Sequence, residues 1–320
     1  MYESHYGLKE KPFSMLPDPE FLYLGKKHKG ALTMLEYGLV NQAGFVVITG
    51  NIGSGKTTLI RYALDNMDKD VTVGLITNTH ASFGQLMQWV LMAYGISSKD
   101  EDRVGMHRVF TDFIINEYSH NKRTVLIIDE AQNLNAETLE ELRMLSNINV
   151  DKNQLLQMVL VGQPELLELL KQPGLEQFTQ RIAVHYHLKP LNAEETRTYI
   201  YHRLRIAGAK ILGIFSNSAC VEIYKASKGI PRVINNLCDI ILVYGYAEER
   251  RLVDAKLVHE VLSEREQCGL FLPRGQPEIN TAADSVWSKL DDSVSVDSSQ
   301  QEPDTVKENK TLWFSRDRIK

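Results

Sequence analysis

Between Gly50 and Thr58 the chain reads Gly50, Asn51, Ile52, Gly53, Ser54, Gly55, Lys56, Thr57, Thr58, a stretch dense in glycine, hydroxyl and one cation. Those types at that spacing suit the binding of a polyanion. Glycine reaches positive φ and lacks the Cβ that blocks close approach, so several backbone N–H groups can converge on one anion. Lys56 adds a positive charge, and in a loop of the form GxxxxGK[ST], met here at Gly50, Gly55, Lys56 and Thr57, the lysine reaches β- and γ-phosphates while the threonine hydroxyl ligates Mg²⁺. A glycine-rich turn that binds nothing is the plain alternative. The elements on either side favour the cradle: Phe45 to Thr49 form an apolar, β-branched run of strand length, and Thr57 to Leu64 read as the first turns of a helix whose positive end faces the same point. A dinucleotide fold fits less well, because its fingerprint is GxGxxG and the glycines here are spaced GxxGxG.

A second cluster lies about 70 residues downstream, as in a P-loop domain. In "RTVLIIDEAQNL" four apolar residues run into Asp129 and Glu130, two carboxylates at the mouth of a buried strand. Asp129 is placed to hold hydrated Mg²⁺ in its outer shell, and Glu130 to orient and polarise water for attack on a γ-phosphate. The plain alternative is a solvated strand end. Three more positions suit nucleotide chemistry: Gln163 after the run "VLVG", Arg181 in "FTQRI", and Arg232 in "KGIPRVINNL". A lone arginine is more often a surface charge.

The elements that must position these groups are short β-rich runs alternating with helical patterns from Phe45 to Leu188, which predicts an α/β fold with a parallel sheet covered by helices. Strands are expected at 45–49, 71–76, 124–128, 157–161 and 183–188, and after Pro190 only helices, at 193–207, 216–227, 231–247 and 254–265. Asn192 ahead of Glu194 and Glu195, and Pro231 after Gly229, mark helix starts. The expected organisation is an N-terminal segment (1–44), a nucleotide-binding domain (45–190), a small helical domain (191–266) and a polar tail (267–320). The tail carries too little apolar surface to offset chain entropy and is expected to be disordered; its end, "TLWFSRDRIK", is either a merely soluble terminus or a docking peptide.

Composition bounds the rest. The 320 residues, 43% of them hydrophobic, can bury a large core, and the length favours two domains. No run approaches the roughly 18 uninterrupted apolar residues of a membrane span, and the N-terminus lacks a signal-peptide core, so a cytoplasmic protein is expected. Cys220, Cys238 and Cys268 form no CxxC pair, which argues against a disulfide framework or zinc site. His185 and His187 in "HYH" read as one face of a strand more readily than as metal ligands. A net charge of -5 disfavours broad affinity for nucleic acid, although a local basic patch is compatible with it.

With "GNIGSGKTT", "LIIDEAQNL", "EELRMLSNI", "LVGQPEL", "QRIAVHYHLKPL", "GIPRVINNLCD" and the opening "YGLKEKPFSMLPDPEFLYL" taken together, residues 1 to 265 resemble the AAA+ ATPases of the general secretion pathway protein A (ExeA-like) group. "EELRMLSN" and "YIYHRL" are most similar to the members found with exosortase and exopolysaccharide loci. The resemblance implies a five-stranded P-loop sheet followed by a helical AAA+ lid, with ATP and Mg²⁺ as ligands. It implies Lys56 and Thr57 as the Walker A pair, Asp129 and Glu130 as the Walker B pair, Gln163 as sensor 1, Arg181 as arginine finger and Arg232 as sensor 2. Many AAA+ proteins carry Asn at sensor 1. Larger members continue into a membrane span and a peptidoglycan-binding domain, which these 320 residues lack, so envelope contact is expected to go through a partner. The implied function is an ATPase acting as a ring or filament of identical chains on an envelope secretion or polysaccharide-export system. The alternative is a transposition regulator that binds DNA and recruits a recombinase. A helicase needs two similar sheet domains, for which the chain is too short after Glu130.

Overall fold

The computed structural model describes residues 1–16, 18–77, 86–97, 102–150, 153–211 and 213–267. Cys268 and the polar tail with "TLWFSRDRIK" lie outside the described residues. The strands are β1 (Phe45–Gly50), β2 (Val71–Ile76), β3 (Arg123–Ile128), the two-residue hairpin arms β4 (Asn149–Val150) and β5 (Asn153–Gln154), β6 (Leu156–Gly162) and β7 (Ile182–Leu188). The helices are α1 (Glu3–Tyr6), α2 (Lys26–Val40), α3 (Lys56–Asp65), α4 (Leu86–Ala93), α5 (Arg103–Ser119), α6 (Ala136–Leu145), α7 (Glu165–Leu170), α8 (Glu176–Thr179), α9 (Ala193–Ile206), α10 (Asn217–Ser227), α11 (Pro231–Ala247) and α12 (Ala255–Gln267).

Five strands form one parallel sheet in the order β2-β3-β6-β1-β7, with Val47 opposite Leu160 on one side and His185 on the other. The central strands are continuous apolar runs because both faces are covered. Phe45, Val47, Leu126, Ile128, Met158 and Leu160 point to a core shared with α4 to α8, while Val46, Ile48, Val125, Ile127, Val159 and Val161 point to a second core shared with α2 and α3. The five-stranded α/β sheet with helices on both faces is the one expected. Its carboxyl ends bring together Gly50, Asp129 and Gln163, the edge where ligands bind in open α/β sheets.

Helices α9 to α12 enclose a third core. Asn192 and Glu195 form a reciprocal capping box at the start of α9, and Pro231 occupies the first turn of α11. The side chains of Tyr2, Tyr6, Leu8, Phe13 and Phe21 join this helical core, so the start of the chain packs on the helical unit while α2 packs on the sheet. Tyr6 Oη donates to Arg250 O at 3.0 Å, which fixes that attachment. Cys220 and Cys238 are buried free thiols. Within the described residues no helix is long and apolar enough to cross a membrane.

Candidate nucleotide-binding site

The loop after β1 is shaped by its glycines. Gly53 (φ 77°) and Gly55 (φ 96°) lie in the left-handed region, and a Cβ on Gly50 would stand 2.9 Å from both Leu188 O and Ser54 Oγ. Ser54 N donates to Asn51 O at 3.1 Å, closing the turn, while Ile52 projects outward and is exposed. Gly55 caps α3 without a side-chain bond, leaving the first-turn N–H groups directed at the loop. Lys56 is buried to 6% exposure, and its Nζ donates to Gly50 O (2.7 Å) and Asn51 O (3.1 Å). Burial lowers its pKa, opposed by the charges of Glu130 and Asp129.

Thr57 Oγ1 donates to Asp129 Oδ2 at 2.8 Å, joining the loop to the end of β3. Burial raises the Asp129 pKa; the bonds from Thr57 and from the Glu130 N–H (2.9 Å) oppose that shift. Glu130 has φ 54°, a left-handed backbone that turns its carboxylate back over the sheet edge. There Oε2 accepts from Gln132 Nε2 at 2.7 Å and from Gln163 Nε2 at 3.3 Å, and Gln132 Oε1 accepts from Gln163 N at 2.9 Å. Gln132 thus ties Glu130 to Gln163, a part that sequence reasoning missed. It fits because Gly162 leaves room: a Cβ there would lie 2.9 Å from Gln132 Oε1. The available signal was its place in "DEAQNL", two residues past Glu130.

The helical unit closes the other side. Gly53, Lys56, Thr57, Glu130, Gln163 and Arg232 line one cleft of about 420 Å³, a volume in the range of small-molecule sites, and Thr58 borders it. His28 from α2 lies under the loop, its Nε2 3.2 Å from where a Cβ on Gly55 would be. Asp129 stands behind Thr57. Arg181 is elsewhere: its carbonyl accepts from Phe45 N at 3.3 Å, at the end of β1 opposite Gly50, and its Nη1 donates to Ser146 Oγ at 2.8 Å. His185 and His187 flank the Thr49 hydroxyl at 3.1 and 3.0 Å on one face of β7.

A parallel sheet in this order, a glycine-rich phosphate loop after β1 and a helical unit resting on that loop define a P-loop AAA+ domain. Residues 40–170 match the family model described as an AAA domain. The chain is a relative of General secretion pathway protein A of Aeromonas hydrophila, 37% identical over 264 residues, which make up 82% of this chain and 47% of that protein. It therefore spans about half the length of that relative. Among solved structures, the ORC2 protein of Aeropyrum pernix in ADPNP-ADP complexes superposes with a TM-score of 0.59 at 19% identity, covering 80% of this chain and 72% of that one. The Walker-type ATPase of Pyrococcus abyssi gives 0.55 at 16% identity, covering 81% and 78%. These two share the fold.

Proposed function

We propose that the chain is an Mg²⁺-dependent ATPase whose turnover drives or regulates assembly of an envelope secretion or polysaccharide-export system. The observation that carries the catalytic reading is the 2.8 Å bond between Thr57 Oγ1 and Asp129 Oδ2, which puts the loop hydroxyl and the strand-end carboxylate at one point. Both are oxygen donors of the kind a hard divalent cation takes, and Thr57 and Asp129 would hold it. Held there, such an ion would supply charge neutralisation to a bound polyphosphate. Lys56, with two of its three N–H groups on loop carbonyls, has one left for phosphate. Glu130 takes the proton of an attacking water, Gln163 positions that water or the γ-phosphate, and Arg232 meets the phosphates from the helical side. Arg181, remote from its own cleft, serves the site of a neighbouring identical chain in a ring or filament.

The secretion role rests on the likeness to General secretion pathway protein A, and the polysaccharide-export role, the other half of the same reading, on the sequence resemblance. The chain acts in the cytoplasm and reaches the envelope through a partner. Phosphate release by the purified full chain tests the chemistry: turnover with Mg²⁺ that stops on chelation supports it, and turnover unchanged by chelation overturns it. A chromosomal Lys56→Ala allele tests the role. Loss of protein secretion or polymer export is expected, and intact export of both contradicts the assignment.

A further inference from the structure

Three carbonyls of the phosphate loop meet donors already described. Lys56 Nζ holds Gly50 O and Asn51 O, Ser54 N also donates to Asn51 O, and Arg232 N holds Gly53 O. A fourth is Ser54 O, and its donor comes from outside the loop. His28, in the first turn of α2, is buried to 4% exposure. Its imidazole bonds to the Ser54 backbone, and because that bond favours the protonated ring, the backbone group is the accepting carbonyl. Nδ1 is buried with no partner among the described residues, so Nε2 is the donor, and Nε2 is also the ring nitrogen beside Gly55. The Ser54 hydroxyl is buried and unpartnered too, and does nothing to hold its own peptide.

His28 can hold the loop because α2 is itself fixed. Leu32, Leu35 and Leu39 of α2 enter the core it shares with the sheet, Tyr186 Oη of β7 donates to Lys27 O at 2.9 Å, and Lys27 Nζ pairs with Glu195 Oε2 at 2.7 Å. Peptide geometry carries the restraint inward. No described peptide is cis, and in a trans peptide the C=O and N–H point in opposite directions. Pinning the Ser54 carbonyl toward α2 therefore turns the Gly55 N–H away from α2, toward the concave side of the loop. That N–H makes no hydrogen bond among the described residues, and it adjoins the first-turn donors of α3.

We propose that His28 is a positioning residue for phosphate binding: by holding the Ser54 carbonyl it aims the Gly55 N–H at the bound phosphate. It acts through the loop and touches neither phosphate nor base. The inference rests on the nucleotide reading of the cleft and adds to it a residue outside the loop motif. An N–H aimed in advance spares the ligand the cost of ordering that peptide, and the bond is worth about tenfold in affinity.

Calorimetry with inorganic triphosphate and with ATP, on the full wild-type chain, His28→Gln and His28→Asn, tests this. A glutamine amide nitrogen can stand in for Nε2, whereas that of asparagine stands in for Nδ1. His28→Gln should bind both ligands within about threefold of the wild type, and His28→Asn both about tenfold more weakly. Wild-type affinities in His28→Asn overturn the proposal, as does a His28→Gln as weak as His28→Asn. A loss confined to ATP also overturns it, since that would make His28 a contact of the nucleoside. One check needs no variant to fold: NMR of the wild-type chain with labelled histidine nitrogens should find the His28 proton on Nε2 and Nδ1 bare, and a proton on Nδ1 alone overturns the proposal. Failure of the wild type to bind either ligand overturns the nucleotide reading of the cleft, and this proposal with it.

Discussion

The backbone N–H of Arg232 donates to the carbonyl of Gly53 at 3.1 Å, so the first turn of α11 rests on the phosphate loop. The packing there is tight: a Cβ on Gly53, where φ is +77°, would stand 2.5 Å from Arg232 Cβ. Any change in the loop on nucleotide binding is therefore felt at once by the helical unit, and through it by the N-terminal residues that share its core.

Gly53→Ala tests that coupling. Alanine in the left-handed region costs about 1–2 kcal/mol, and the collision with Arg232 displaces α11 further. We expect a lower melting temperature and an ATP affinity weakened by about tenfold or more, read by thermal melts and calorimetry. Unchanged affinity in a folded variant would show that α11 and the loop are independent.

The Glu130–Gln132–Gln163 triangle separates binding from chemistry. Glu130→Gln keeps shape and backbone but loses the base, so ATP should bind while turnover falls by about 10²–10⁴-fold. Gln132→Ala removes the 2.7 Å bond to Glu130 and the acceptor for Gln163 N, and kcat should fall by about tenfold or more with ATP affinity little changed. A wild-type kcat in Gln132→Ala would leave the triangle without a role in turnover.

How far the fold could be read ahead depends on what fixes each part. The sheet was legible because strands buried on both faces must be apolar throughout: β1 was expected at 45–49 and occupies 45–50. Asn192 and Pro231 announced α9 and α11 through local capping chemistry. The hairpin of β4 and β5 was missed, since two-residue arms carry no periodicity. Tyr2, Tyr6, Phe13 and Phe21 advertise burial, but their partners are helices some two hundred residues later, and no local pattern names them. Arg203 looks solvated in "TRTYIYHRLRI"; it is buried because Pro12 and Phe21 cover it. Gln132 needed the left-handed turn at Glu130 to be seen.

Stability should fall on mild acidification. His28 is 4% exposed, with Nδ1 buried and unpartnered, and burial holds its pKa below the ordinary 6.5, helped by Lys27 and opposed by its bond to Ser54 and by Glu195. Burial likewise depresses His185 and His187. From about pH 6.5 down to their folded-state values, the unfolded chain binds more protons than the folded one, so stability is lost as pH falls through that window and levels off below it. The Asp129 carboxyl, raised by burial, acts in the opposite sense at lower pH. Melts from pH 7 to 5 should show a declining midpoint and a shallower decline in His28→Gln; identical slopes would assign the loss to other groups.

Arg181 distinguishes one chain from several as the unit of activity. Arg181→Ala should bind ATP nearly normally and hydrolyse it poorly, and mixing it with Lys56→Ala should restore turnover that neither has alone. Because Arg181 also donates to Ser146, Ser146→Ala is the control: it removes that contact within the chain, leaves the guanidinium, and should retain activity. No recovery on mixing, at concentrations that support assembly, would return Arg181 to an ordinary structural role.

The central claim is that this cleft binds ATP through the phosphate loop, and calorimetric titration of Mg²⁺·ATP into the wild-type chain and a folded Lys56→Ala variant tests it most directly. One site per wild-type chain, and a loss of about a hundredfold in affinity or more on removing the ammonium, is the predicted result. Equal affinity in the two proteins, or no binding by the wild type, would contradict it.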